Sequence, residues 1–235
     1  VVAAVTKAGG AISLLVGVVL LRLTLSGTFE RYVREGMAPW LLAAGAAVVV
    51  LGVATLVQSL RNAPVVDAHD HHEHGGGLGV GWLLLAPIAA LLLVAPPTLG
   101  AYGIGRAASV DIRAGAPVFD PLPKGSGPVE MTLLEYGQRS FDHAGSSFAG
   151  EPVQLTGFVA DSEQGGFRLA RYQIACCAAD AAPVVVRVVG TSGDALSRDQ
   201  WVTVVGRYRP TGDEEIPALT VTSVVEIEPP NDPYE

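Results

Sequence analysis

Three long apolar runs dominate the first hundred residues, and a shorter-period pattern takes over beyond residue 128. Ala3–Leu25 is apolar apart from Thr6, Lys7, Ser13, Arg22, Thr24 and a few glycines. Pro39–Leu60 and Gly79–Leu99 carry no charge, and the latter holds Trp82 near its start and Pro96-Pro97 near its finish. Each run is about 20 residues, the length that crosses a hydrocarbon core of roughly 30 Å as a helix. Prolines end a helix and tryptophan suits the membrane interface, so both fit the limits of the third run. A signal peptide is the competing reading of the first run, but the run is long and no small-residue cleavage site precedes Arg31. Buried helices of a soluble protein compete for the other two, and the absence of charge speaks against them. The pattern predicts a transmembrane region over residues 1–100 with three helical spans, at about 3–25, 39–60 and 79–99.

Residues 101–128 are rich in Gly, Pro and Ala with little periodicity, and read as a linker. Thr132-Leu133-Leu134-Glu135 then has the T-x-x-E form of a capping box, which predicts a short helix to about Phe141. Five β-rich runs follow: Val153–Val159, Phe167–Ile174, Val184–Val189, Trp201–Tyr208 and Leu219–Ile227. Gly165-Gly166, Pro183, Ser192-Gly193 and Thr211-Gly212 punctuate them. In Trp201–Tyr208 both alternating sets contain apolar residues, as in a barrel strand whose outer side is covered. Residues 129–235 are thus expected to form an all-β C-terminal domain, a small barrel of OB type.

Composition supports this division. Hydrophobic residues make up 49% of the chain and charged residues 16%, a balance more apolar than that of a soluble domain. The net charge of −8, with no cluster of Lys and Arg, excludes a nucleic-acid partner. With three spans, Arg22, Arg31, Arg34, Arg106 and Arg113 share one side, and Lys7 and Arg61 the other. The positive-inside rule then places the C-terminal domain in the cytoplasm and the loop between the second and third spans outside. The two cysteines, Cys176 and Cys177, are adjacent, so no distant pair staples the fold. A bridge between neighbours is strained, because their α-carbons sit about 3.8 Å apart.

Two clusters carry candidate chemistry. In the loop 67–77, His69, Asp70, His71, His72, Glu73 and His74 bring together four of the chain's five histidines. Imidazole and carboxylate are natural zinc ligands, and Gly75-Gly76-Gly77 gives the loop freedom to fold around an ion. A solvated polar loop is the alternative, since a His-rich tract has no defined ligand spacing. The second cluster is Cys176, Cys177 and Asp180, with Arg171 upstream. A thiolate metal site, a redox centre and two small core residues are all open readings of the thiols. On a strand, neighbouring cysteines point to opposite faces, which leaves one for any given pocket. A catalytic pairing with His143 has no sequence feature behind it. No phosphate-binding loop, nucleophile elbow, dinucleotide fingerprint or H-E-x-x-H motif is present, so no enzyme is expected.

The run Cys176-Cys177-Ala178-Ala179-Asp180-Ala181, after Phe167-Arg168-Leu169-Ala170-Arg171-Tyr172, resembles a signature of the YcgQ-like bacterial membrane proteins. These form an uncharacterised family with N-terminal spans and a C-terminal domain. The closing Pro229-Pro230-Asn231-Asp232-Pro233-Tyr234, and Val153–Val159 with the glycine-containing turn after it, are similar to that family as well. The resemblance implies association with a multi-pass permease of the YcgR or ArsP-like class and a part in zinc limitation. It adds weight to Cys176, Cys177 and Asp180. The expected function is therefore an accessory subunit of a membrane metal-transport system, with zinc as the ion and the bilayer and a permease as partners. Three spans with almost no intramembrane charge are poor material for a conduction path, which favours an accessory role over a transporter. The alternatives are a membrane-tethered redox or metal-sensing module using Cys176 and Cys177, and a scaffold that binds no ligand.

Overall fold

The first two apolar runs fold as helices α1 (Val2–Leu25) and α2 (Ala38–Arg61), 24 residues each, where the pattern places them. The computed structural model describes residues 2–61, 99–106, 112, 119–125, 127–148, 150–191, 193, 195–210 and 216–235. One compact unit holds α1 and α2, and the other holds the chain from Thr98 onward together with Glu30–Arg34. Among the described residues one helix, Glu35–Arg61, is long and apolar enough to cross a membrane; the apolar part of α1, Gly9–Leu25, is shorter. The third expected span, 79–99, lies outside the described residues but for Leu99.

Small residues let the two helices pack closely. Gly10 and Gly17 on α1, and Gly45 and Gly52 on α2, are each spaced by seven, so each pair lines one helix face. A Cβ on Gly52 would lie 2.7 Å from the Leu14 backbone nitrogen, and one on Gly17 would lie 2.7 Å from Val49. One on Gly45 would meet Leu21 at 2.9 Å. Where apolar lipid removes the hydrophobic drive to associate, such close backbone approach is what holds helices together. Thr24 and Thr55 turn their hydroxyls back onto Leu20 and Leu51 carbonyls at 2.8 Å, so neither leaves a free polar group.

In the second unit the described strands are β1 (Val129–Glu130), β2 (Pro152–Glu163), β3 (Gly166–Gln173), β4 (Ala182–Val189), β5 (Trp201–Arg209) and β6 (Ala218–Glu226). They form one mixed sheet of six strands in the order β1-β2-β3-β4-β6-β5, and β5 pairs back onto β2. The five longer strands therefore close on themselves. Most neighbours are antiparallel, but β1 with β2 and β4 with β6 run parallel. The five expected strands are all present, with ends shifted by a few residues. The two-residue β1 is an addition that no alternating pattern announces.

Strand alternation sorts the side chains into two cores. Val184, Val186 and Val188 of β4 and Val202 and Val204 of β5 fill the inside. On the opposite face Phe158, Tyr172, Trp201 and Tyr234 form a second cluster, with the Phe158 ring 5.8 Å from Trp201 and 5.9 Å from Tyr172. Ala101, in the stretch expected as a linker, is fully buried in this outer cluster. The Tyr172 hydroxyl donates to the Gly100 carbonyl at 2.9 Å, so residues 99–103 belong to the packed domain.

The helix expected from the capping box is α3 (Leu133–Phe141), and the Thr132 hydroxyl accepts the Glu135 N–H at 3.0 Å. The reciprocal half of the box does not form, because the Glu135 carboxylate takes Arg139 at 2.8 Å instead. Glu235 supplies the rest of the cap, accepting the Leu133 and Leu134 N–H groups at 2.8 and 3.2 Å. After α3, His143, Ala144 and Gly145 are all left-handed. A Cβ on Gly145 would strike the Tyr208 ring, so the turn needs glycine there.

The glycine stripe makes a direct prediction. Gly52→Leu forces the hairpin apart at Leu14 and is expected to destabilise it by about 1–3 kcal/mol. Thermal unfolding of the helical circular-dichroism signal in detergent, at a lowered midpoint, measures it. An unchanged midpoint would show that α1 and α2 do not rely on close contact at this glycine.

Candidate functional site

The chain leaves the sheet just before the paired cysteines. Strand β3 ends at Gln173, Ile174 tucks into the outer core, and Ala178–Asp180 form a single 3-10 turn. The cysteines lie beyond the strand, so the opposite-face rule for neighbours on a strand does not apply to them. Asp180 organises the turn: one carboxylate oxygen accepts the Ala175 N–H at 2.9 Å. The other accepts those of Cys176 and Cys177 at 2.9 and 3.4 Å. Asp180 in turn donates its own N–H to the Cys177 carbonyl at 3.0 Å. As a result the two Sγ atoms and an Asp180 carboxylate oxygen lie within 4.8 Å of one another. Cys176 is exposed and Cys177 half-buried, which removes the reading of the pair as core packing.

Electrostatics follows from this geometry. The Cys176 thiol donates to the Asp180 carboxylate and also bonds with Cys177, and these contacts push its pKa up to about 11. The same thiol, with the Cys176 and Ala175 amides, holds Asp180 down to about 2. The sign is that of a depressed carboxylate: its stabilisation of the turn is present above the ordinary 3.8 and is lost as pH falls through about 2. At neutral pH Cys176 is thus a thiol held by an ionised carboxylate. It is a poor nucleophile, since the thiolate is the reactive form. A cation changes that balance by displacing the proton. Bonds of about 2.3 Å to a tetrahedral zinc place two sulfurs roughly 3.8 Å apart. The ligand atoms of Cys176, Cys177 and Asp180 lie within 4.8 Å of one another, a little wider than that spacing.

The turn also grips the link between α1 and α2. Val33 forms an antiparallel bridge with Cys177. The Arg34 N–H donates to the Cys176 carbonyl at 3.1 Å, and the Ala178 N–H donates to the Tyr32 carbonyl at 2.7 Å. Beside them the Tyr234 hydroxyl donates to the Arg31 carbonyl at 2.8 Å. Burial pushes the Tyr234 pKa up, opposed by a backbone hydrogen bond from Leu99.

The other sequence candidates fall elsewhere. Arg171 turns away from the thiols and holds the closing segment, its guanidinium donating to the Asp232 and Tyr234 carbonyls at 2.9 and 3.0 Å. His143 pairs with Asp142 at 2.6 Å and is not among the ligand atoms gathered at the cysteines. His69, Asp70, His71, His72, Glu73 and His74 lie outside the described residues. Tyr32, Val33 and Arg34, which complete the site from the far end of the chain, carry no local signal. They sit between two apolar helices, where a strand partner announces itself only in three dimensions.

These features define a class: a small domain built on a closed sheet, bearing an exposed vicinal dithiol braced by a carboxylate. Residues 137–235, which contain strands β2 to β6 and the cysteine turn, match the DUF1980 C-terminal domain. That match is consistent with a domain of an uncharacterised family. Comparison with curated proteins gives no match.

Replacing the carboxylate tests the electrostatic account. Asp180→Asn keeps an acceptor for the turn but removes the charge that holds Cys176 near 11, so its pKa moves toward the ordinary 9. Reactivity rises less than the thiolate fraction, because nucleophilicity falls with pKa. Alkylation by iodoacetamide at pH 8 is expected to quicken roughly tenfold. An unchanged rate, followed by mass spectrometry of the Cys176 peptide, would mean that Asp180 does not control the thiol.

Proposed function

We propose that this chain is a membrane-anchored metal-binding protein that serves as an accessory subunit of a metal-transport system. The observation that supports it best is the convergence of Cys176 Sγ, Cys177 Sγ and an Asp180 oxygen within 4.8 Å on an exposed turn. Thiolates select soft and borderline cations, which makes zinc the first candidate. Two sulfurs and one oxygen leave a position open, which suits a site that accepts and passes on an ion better than a closed structural site. The redox alternative is weaker on the same geometry: the raised Cys176 pKa keeps the thiol protonated, and a vicinal bridge is strained.

The membrane arrangement is part of the proposal. If α1 and α2 both cross, the link between them and the C-terminal domain share one face of the bilayer, because Tyr32 and Arg34 are hydrogen-bonded to the cysteine turn. Three crossings in all give that outcome, and the arginine bias makes the shared face cytoplasmic. The closed strand order, with β4 and β6 parallel, favours the OB-type reading of the domain. The His69–His74 loop as a capture segment, and a multi-pass permease as partner, rest on the sequence alone.

Titration of the detergent-solubilised chain with Cd2+, followed by thiolate charge-transfer absorbance, tests the site. The wild type and a variant with His69, His71, His72 and His74 replaced by alanine are expected to give the same thiolate signal. Cys176→Ser/Cys177→Ser is expected to abolish it. A wild type with no such signal would end the reading of the dithiol as a cation site.

A further inference from the structure

We infer that the cysteine turn and the 31–34 link form one coupled device, in which a soft divalent cation on Cys176 and Cys177 tightens the seat of the link joining α1 to α2. This rests on the cation-site reading above and adds its output. The two groups that hold the link, the Cys176 carbonyl and the Ala178 N–H, directly flank Cys177 in the chain. The turn that aims them at Tyr32 and Arg34 is therefore the turn that gathers the ligand atoms. Asp180 fixes that turn through three amides, and the oxygen that accepts only Ala175 among them keeps a lone pair for a cation. Ligation can thus cross-link residues 176, 177 and 180 without giving up the turn.

A ligand stabilises the conformation it binds, and here that conformation is the one with the link seated. By the same linkage, a seated link strengthens cation binding, and loss of the link weakens it by the same factor. The seat includes one antiparallel bridge with two backbone hydrogen bonds, and the Tyr234 hydroxyl on Arg31. The bridge and its hydrogen bonds are made by the turn's own backbone groups, so a change in the turn shifts the population of the seated link.

The experiment uses the full chain in lipid nanodiscs, with Cd2+ as the probe. Hydrogen–deuterium exchange of peptides covering residues 30–36 and 174–181 is measured with and without the cation, beside the thiolate absorbance. Saturating Cd2+ is expected to slow exchange in both peptides. Arg34→Pro removes the donor to the Cys176 carbonyl while leaving both thiols, and is expected to weaken Cd2+ binding roughly fivefold or more. Tyr234→Phe, which keeps the ring in the outer core and takes away only the hydroxyl, is expected to act in the same direction. Thiolate absorbance without slowed exchange at 30–36, and with unaltered affinity in both variants, would overturn the coupling and leave the cation site standing. Absence of thiolate absorbance in the wild type would overturn both.

Discussion

The Asp180 carboxylate accepts hydrogen bonds from three successive backbone amides, those of Ala175, Cys176 and Cys177. The cysteine turn takes its shape from that contact. It bends the chain out of β3, brings the two sulfurs to the same side as the carboxylate, and leaves the Cys176 carbonyl and Ala178 N–H free to hold the α1–α2 link. An ionised group that is exposed makes a weak brace through charge alone. Three convergent N–H donors make it strong, because each hydrogen bond is to the charged form. The same contact sets the reactivity of Cys176, so shape and chemistry have a single origin.

The sheet supplies what the turn stands on. Its closure through β2 and β5 leaves the five longer strands with no row of unpaired edge groups between them, and valines on β4 and β5 pack the inside. The outer face of β5 would be a liability if bare, since Trp201 lies on it. Instead Phe158, Tyr172 and Tyr234 cover it, together with Ala101 from the segment that enters the domain. This outer cluster brings the two ends of the described C-terminal unit together beside the cysteines.

Much of the architecture was legible in the sequence because it follows from period and composition. The two described helices, the T-x-x-E start of α3 and the five longer strands all fall close to where alternation and turn residues place them. The candidate site was legible as residues but not as geometry. Cys176, Cys177 and Asp180 stand out in the chain, yet nothing local says that their ligand atoms converge. The hydrogen bonds from the 175–177 amides to Asp180 supply that convergence. Arg171 finds its carbonyl partners about sixty residues further along, in the closing segment. The Gly-rich stretch around Ala101 looked structureless because its order comes from aromatic side chains far away in sequence. No local pattern encodes such partners.

The domain is also not contiguous in the chain, and this has a consequence for how it is made. Its finished form includes Glu30–Arg34, which precede the second helix, and the bond from Tyr234 to Arg31 spans 203 positions. During synthesis the link is in place long before its partners exist, and its closure entropy is met only at the end. Folding of the strands can proceed without it, as they pair with sequence neighbours for the most part. The turn that carries the cysteines is thus completed by residues from two distant parts of the chain.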